Sequence, residues 1–196
     1  MNTRKMILTS MFVAMIAAGA FIKIPVPIVP FTLQFLFTML AGILLGGKDG
    51  FRAVVIYIFL GLIGLPIFAE GGGFAYLFKP SFGYIIGFAI ASYITGTIAN
   101  KNSEPTIKRL LCANFIGLGI VYLFGMVYYY IMSNFYLGTP IGLWPLFLYC
   151  FILAVPGDIL LCILGAILGN RLVPIIKKKG YNLNKINPTV TDIYDT

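Results

Sequence analysis

The chain has 196 residues, of which 60% are hydrophobic and only 10% are charged, whereas soluble globular proteins average about 45–50% and 25%. This composition excludes a water-soluble globule, a disordered chain and a nucleic-acid-binding protein, and it predicts a membrane protein. The chain contains no histidine and six carboxylates, so a Ser-His-Asp relay, an imidazole metal ligand and a histidine proton shuttle are excluded. We expect no catalytic residues, no metal site and no cofactor.

Six apolar segments follow one another along the chain, at residues 6–22, 31–45, 51–65, 83–99, 110–135 and 146–173. A helix that crosses the ~30 Å hydrocarbon core needs roughly 20 apolar residues. Continuous apolarity without period-two alternation favours helices over the strands of a barrel. The sequence therefore predicts an all-α integral membrane protein with six transmembrane helices, in one domain at residues 1–196 with a short polar cytoplasmic tail at 177–196.

The cations predict how this bundle is oriented. Twelve of the 14 Lys and Arg residues lie before the first segment, in or next to the second and fourth connectors, or at and beyond the end of the sixth segment. Because cytoplasmic loops carry the excess of Lys and Arg, both termini are predicted to be cytoplasmic, in a multi-pass protein of the cell membrane. Lys23 and Lys79 fall on the opposite side, so the first, third and fifth connectors are predicted to face outward.

One short motif raises the question of an ATPase. Residues 42–49 read GILLGGKD, which matches the GxxxxGK phosphate-loop pattern, but Asp49 stands where a Ser or Thr would hold magnesium, and no strand precedes the motif. A glycine cap followed by a lysine at a helix C-terminus explains the same residues. We predict that the chain has no ATPase activity, so that any active transport draws its energy from another protein.

Small residues recur every fourth position in the first segment, at Ser10, Ala14 and Ala18. Such a stripe lets another helix approach closely, and packing contacts drive helix association in lipid. The partner helix could belong to this chain or to another protein, and similar stripes occur in the fourth and sixth segments.

Asp158 is the single carboxylate inside an apolar run. Burying it costs roughly 2.5–3.5 kcal/mol on insertion scales, and intramembrane carboxylates are usually functional or paired. It follows Pro156 and Gly157, which interrupt helical hydrogen bonding and can expose backbone groups to a polar cavity. Both a contact to a ligand or ion and a structural hydrogen bond to another helix remain open.

The third connector, at residues 71–84, combines a glycine hinge, five aromatic residues and a cation. Aromatic side chains can enclose an apolar ligand and a lysine can meet an anion, although an aromatic belt at the membrane interface has the same composition. The first outer loop adds a cation, an aromatic ring and an amide. The candidate ligand-binding residues are Lys23, Phe31, Gln34, Phe74, Tyr76, Lys79, Tyr84 and Asp158.

Five motifs in order along nearly the whole chain resemble the BioY-type, biotin-specific S components of energy-coupling factor (ECF) transporters. They are IPVPIVPFTLQ from residue 24, LAGILLGGKDG from 40, YIFLGLIGLPIFAEGGG from 57, FGYIIGF from 82 and PGD from 156.

The resemblance implies a six-helix membrane protein that captures biotin from outside and docks on a transmembrane coupling subunit driven by two ATPase subunits. It implies that Ala14 and Ala18 on the first helix meet that coupling subunit. It also implies that Asp158 is a ligand for the ureido ring of biotin, and that Gln34 and Tyr84 lie near the pocket.

Two departures from the family pattern concern the ligand. A lysine usual one turn after the aspartate is replaced by Leu161, and the loop before Gly83 reads KPSFGY where the family reads closer to GPTGGY. We therefore expect Lys79 or Lys23 to pair with the valerate carboxylate. Dethiobiotin, lipoate or another small apolar acid is the alternative ligand, and a stand-alone secondary carrier is the alternative mechanism.

Overall fold

The structure, a computed structural model, describes residues 3–24, 31–101 and 105–178, with the backbone alone described for Lys177 and Lys178. The proline-rich stretch 25–30 and the predicted cytoplasmic tail beyond Lys178 lie outside these residues. Numbered in chain order, the helices and strands are α1 (Thr3–Phe21), β1 (Lys23–Ile24), β2 (Phe31–Thr32), α2 (Gln34–Leu45), α3 (Gly47–Leu62), α4 (Phe82–Ala99), α5 (Ile107–Ile131), α6 (Leu143–Phe147) and α7 (Val155–Lys178). A 3-10 helix spans Phe74–Phe78, and π-helical turns follow α5 at Met132–Tyr136 and α6 at Leu148–Ile152.

Four helical stretches of the described residues are long and apolar enough to cross a membrane. They are Thr3–Phe21, Phe82–Ala99, Ile107–Tyr136 and Leu143–Ile176. The predicted second and third segments form shorter helices, with 12 residues in α2 and 16 in α3. The predicted all-helical membrane bundle built from six helical segments is confirmed.

The shortest of these segments, α2, is the central helix of the bundle. Eleven of its 12 residues are buried, and it packs against α1, α3, α4 and α7. A helix that is apolar on every face is stable when it is surrounded on every face, which explains why α2 reads as an unbroken apolar run. Gln34, its first residue, is thereby fixed at one end of the core.

The predicted GGKDG connector between α2 and α3 is largely helical, so its assignment to a loop is wrong from Gly47 onward. Gly46 alone makes the turn, with a φ of 87° that favours glycine. Asp49, which is 1% exposed, pairs with Lys5 of α1 at 3.2 Å and with Arg52 at 2.7 Å. A carboxylate in the first turn of a helix is also stabilised by the helix dipole. These interactions start α3 earlier than hydropathy indicates.

The end of the bundle that is predicted to face outward, called the outer end, carries two irregular pieces of chain. β1 and β2 pair antiparallel, with Ile24 opposite Phe31. Residues 63–81, called the outer segment, connect α3 to α4, and their Phe68 is fully buried against the ring of Tyr57. The outer segment is thus anchored to the helices beneath it.

Candidate ligand-binding site

A cavity opens at the outer end between α2, α4, α5 and α7. The space between its atoms, open solvent at the mouth included, is about 660 Å³. Its lining is mainly aromatic and aliphatic with a few polar groups. The lining residues are Phe31, Thr32, Gln34, Phe35, Ala69, Tyr76, Ser81, Tyr84, Ile85, Phe88, Val121, Tyr122, Cys150, Ala154 and Asp158.

The structure brings five of the eight candidate ligand-binding residues together around this cavity, and the other three lie outside its lining. Those in the lining are Phe31, Gln34, Tyr76, Tyr84 and Asp158. The cavity therefore joins residues that are up to 127 positions apart in the sequence.

Asp158 is the one charged side chain among the lining residues. Its Oδ2 accepts a hydrogen bond of 2.5 Å from the Tyr122 hydroxyl. Within the described part of the chain, no Lys or Arg forms a salt bridge with it, and Leu161, one turn further along α7, is buried. The second carboxylate oxygen remains available to a ligand that can donate a hydrogen bond.

A break in the helix places Asp158 at the cavity. The π-helical turn Leu148–Ile152 is followed by a two-residue turn at 153–154, and α7 then begins at Val155. Pro156 lies in the first turn of α7, where a missing N–H breaks no helical hydrogen bond. The predicted interruption thus falls just before Pro156, and Asp158 lies in the first turn of α7, where the helix dipole favours a carboxylate.

Gln34 is held on both sides of its amide. Its Oε1 accepts from the Thr32 hydroxyl at 3.2 Å, and its Nε2 donates to the Tyr57 hydroxyl oxygen at 2.5 Å. The side chain is only 3% exposed. One N–H and one lone pair remain to be satisfied, so Gln34 offers a ligand both a donor and an acceptor.

Aromatic rings seated on glycines form the walls. A Cβ at Gly157 would meet the Phe31 ring at 2.6 Å, and a Cβ at Gly125 would meet the Tyr84 ring at 2.4 Å. Any residue larger than glycine at position 157 or 125 would therefore clash with one of these rings. Burial raises the pKa of the Tyr76 phenol, so this group stays protonated at neutral pH.

The three remaining candidates lie at the surface of the outer end. Phe74 is 69% exposed. The Nζ of Lys79 pairs with Glu70 Oε2 at 2.9 Å and lies 5.1 Å from the centre of the Tyr76 ring. The Nζ of Lys23 donates to the carbonyl oxygen of Ala69 at 2.9 Å. A role for either lysine in binding a ligand carboxylate stays a prediction.

Sequence reasoning missed Tyr122, the partner of Asp158. It lies inside the apolar α5, and its hydroxyl resembles those of Tyr128, Tyr129 and Tyr130 in the same helix. Its edge-to-face contacts with the Tyr84 and Phe151 rings, with centroids 6.1 and 5.0 Å away, arise only when distant segments pack. No local signal in the sequence distinguishes it.

The small-residue stripe of α1 faces away from the bundle. Ser10, Ala14 and Ala18 are exposed, whereas Phe12 and Ile16 of the same helix are buried. The stripe therefore provides no internal packing among the described residues and remains free for another helix. Its role in docking stays a prediction.

The fold and the site define a class: a multi-pass helical membrane protein with a small-molecule cavity near one end of its helices. The sequence profile of the BioY family matches residues 1–178. A protein of Lysinibacillus sphaericus named as a probable biotin transporter is 43% identical over 176 residues, 90% of each chain. A biotin transporter of Thermotoga maritima is 40% identical over 68% of this chain and 76% of its own.

A solved structure is also similar. The crystal structure of the S component for biotin from an ECF-type ABC transporter matches with a TM-score of 0.74 and 28% identity, over 88% of this chain and 94% of the other. The chain belongs to the BioY family.

Proposed function

We propose that this chain is the biotin-binding S component of an ECF transporter in the cell membrane. The observation that carries the proposal is the pairing of Asp158 with Tyr122 in a cavity that is otherwise mainly apolar. Biotin combines an apolar fused ring with two ureido N–H groups. A carboxylate with a free oxygen, set between aromatic walls, complements that combination.

The ureido group would be recognised by Asp158 and Gln34. One ureido N–H donates to the carboxylate, the other to the amide oxygen of Gln34, and the remaining amide N–H of Gln34 can donate to the ureido oxygen. Hydrogen bonds to a charged group are worth about 1.5–3 kcal/mol each. They decide selectivity among ligands that bury similar apolar surface.

The rest of the ligand would lie toward the mouth. The rings of Phe31, Tyr76 and Tyr84 pack on the fused ring system, and the valerate chain runs outward to Lys79 or Lys23. Both lysines lie at the outer end, so an exposed carboxylate can reach one of them without being buried.

The phosphate-loop-like motif spans a helix–helix turn, and the element directly before that turn is the helix α2 and not a strand. We therefore assign the energy source of transport to partner proteins. The exposed stripe at Ser10, Ala14 and Ala18 is the surface through which this chain would dock on a membrane coupling subunit. Two ATPase subunits bound to that subunit would supply the energy. The chain is a transporter subunit and not an enzyme.

Dethiobiotin is a second candidate ligand. It carries the same ureido and carboxylate groups, so Asp158 and Gln34 would recognise it as well. The substitution of Leu161 for a lysine removes a cation from beside Asp158 and leaves discrimination to the aromatic walls. Lipoate lacks the N–H donors and should bind more weakly than either.

The proposal is tested by calorimetry of the detergent-purified protein with biotin. We expect Asp158→Asn to weaken binding at least about tenfold, because each 1.4 kcal/mol is a factor of ten and the charge-assisted bond is lost. Asp49→Asn is the matched control, since Asp49 is a buried carboxylate at the other end of α2, about 18 Å along the helix from Gln34. Undiminished biotin affinity in Asp158→Asn would refute the site.

A further inference from the structure

A chain of buried hydrogen bonds runs from the cavity into the outer segment. Thr32 Oγ1 donates to Gln34 Oε1 at 3.2 Å, Gln34 Nε2 donates to Tyr57 at 2.5 Å, and the Tyr57 hydroxyl donates to the backbone carbonyl of Ile67 at 3.0 Å. Gln34 lines the cavity and Tyr57 does not. Tyr57 is therefore hydrogen-bonded to the cavity lining through Gln34, and its ring reaches Tyr76 of the lining by way of Phe68.

The last acceptor, the carbonyl oxygen of Ile67, fixes which group donates and which accepts in each of these hydrogen bonds. A backbone carbonyl can only accept, so the single hydroxyl proton of Tyr57 is committed to Ile67. The Tyr57 oxygen must then accept from Gln34, which requires the NH₂ side of the amide to face Tyr57. The amide oxygen is consequently on the other side, where it accepts from Thr32.

The packing around Tyr57 keeps this arrangement rigid. Tyr57 and Phe68 are both fully buried and meet edge to face, with ring centroids 5.3 Å apart. Phe68 also lies against Gly61, where a Cβ would meet its ring at 2.1 Å. The phenol can thus neither swing to water nor easily exchange its acceptor.

We propose that Tyr57 is a positioning residue that locks the Gln34 amide in one of its two orientations and so selects ligands that place an N–H donor against its oxygen. This inference rests on the proposed function, because its test uses biotin as the ligand. Without the Tyr57 hydroxyl the amide can turn over and present its NH₂ group to the ureido N–H, which is a mismatch of two donors.

The test is a double-mutant cycle on biotin affinity, measured by calorimetry with Tyr57→Phe, Gln34→Leu and the double variant. Tyr57→Phe keeps the buried ring, and we expect it to weaken binding by about three- to tenfold, the usual range for one hydrogen bond. In the Gln34→Leu background the same change should have no further effect, because Tyr57 acts through Gln34. A merely structural role would weaken binding equally in both backgrounds.

Tyr128→Phe is the matched control. The Tyr128 hydroxyl also donates to a backbone carbonyl of the outer segment, that of Leu77, whereas Gln34 donates to Tyr57. Its effect on biotin affinity should be the same with and without Gln34→Leu. Any loosening of the outer segment as such will appear in this variant too.

The outcomes separate the two proposals. No binding of biotin by the unchanged protein would overturn the proposed function, whereas binding with additive losses in the cycle would overturn the role of Tyr57 alone. If Tyr57→Phe does not purify as a folded protein, Thr32→Val tests which partner fixes the amide. Tyr57 still holds the amide in that variant, so biotin affinity should fall by less than about threefold. A larger loss that disappears in the Gln34→Leu background would show that Thr32 fixes the amide and would contradict the role of Tyr57.

Discussion

A ligand carboxylate that binds Lys79 would have to compete with the carboxylate of Glu70. Its Nζ lies 2.9 Å from Glu70 Oε2, and both side chains are about two-fifths exposed. An ion pair this exposed contributes about 0–1 kcal/mol, so a ligand can displace Glu70 at little cost. The neighbouring Tyr76 ring connects Lys79 to the cavity.

We predict that Lys79→Ala weakens the binding of biotin by about two- to fivefold and leaves the binding of biotin methyl ester nearly unchanged. Glu70→Gln should act in the opposite direction, because it removes the competing carboxylate. Competition binding with both ligands measures these changes. If Lys79→Ala lowers the affinities for biotin and for its methyl ester equally, Lys79 does not pair with the ligand carboxylate. The same comparison would then be made with Lys23→Ala.

The site residues that the sequence predicts are those whose chemistry is unusual for their surroundings. Asp158 and Gln34 stand out as polar groups in apolar runs, and their place in the cavity lining agrees with that reasoning. Tyr122 and Tyr57 do not stand out, because tyrosine is common in such helices. Their hydrogen bonds to Asp158 and Gln34 span 36 and 23 positions of sequence, and only the packed bundle reveals them.

At the scale of elements, α2, α3 and α4 meet through glycines with almost no space between their backbones. A Cβ at Gly96 of α4 would lie 2.4 Å from the carbonyl oxygen of Gly42 and 2.6 Å from the backbone nitrogen of Gly47. Backbone atoms cannot give way as flexible side chains do. The glycines of the LAGILLGGKDG motif therefore serve helix packing, and this close contact holds the central helix α2 in place.

We predict that Gly96→Ala destabilises the protein by about 1–3 kcal/mol through overpacking, despite the better helix propensity of alanine. Gly119→Ala in α5 is the control, since a Cβ there meets nothing within 4 Å and should be neutral or stabilising. Thermal unfolding in detergent compares the two, with a Tm lower by about 2 °C or more expected for Gly96→Ala. Equal midpoints would contradict the packing account.

Hydropathy predicts the number and order of the helical segments but not how they begin and end. Asp49 forms ion pairs with Lys5 of α1 and with Arg52 of α3 itself, and these contacts extend α3 back to Gly47. The break before Val155 is signalled locally by Pro156, but the π-helical turn Leu148–Ile152 that precedes it is not. The start of α3 is thus a boundary at which tertiary contacts override the local preference of the chain.

At the scale of the whole molecule, one exposed helix face is the natural place for a partner. α1 packs on α2 and α3, while α5 packs on α4 and α7. Ala14 is exposed between Ser10 and Ala18, on the face of α1 that points away from the other helices. Small residues on that face allow the close approach of another helix. Under the proposed function, ligand capture and partner docking would thus use separate surfaces.

We predict that Ala14→Phe lowers the uptake of biotin into cells by about tenfold or more, since a clash of 1–3 kcal/mol at a helix contact is worth that factor. The biotin affinity of the purified variant should be unchanged. Leu123→Phe on α5, a similarly exposed position, is the control and should retain uptake. Full uptake by Ala14→Phe would remove α1 as the docking face.

The most direct test of the account is native mass spectrometry of the purified chain offered biotin, dethiobiotin and lipoate at equal concentration. We predict one bound ligand per chain, with the ureido compounds strongly preferred over lipoate and the adduct greatly reduced in Asp158→Asn. A protein that binds none of the three saturably, or that takes lipoate as well as biotin, would contradict recognition of the ureido group by Asp158 and Gln34.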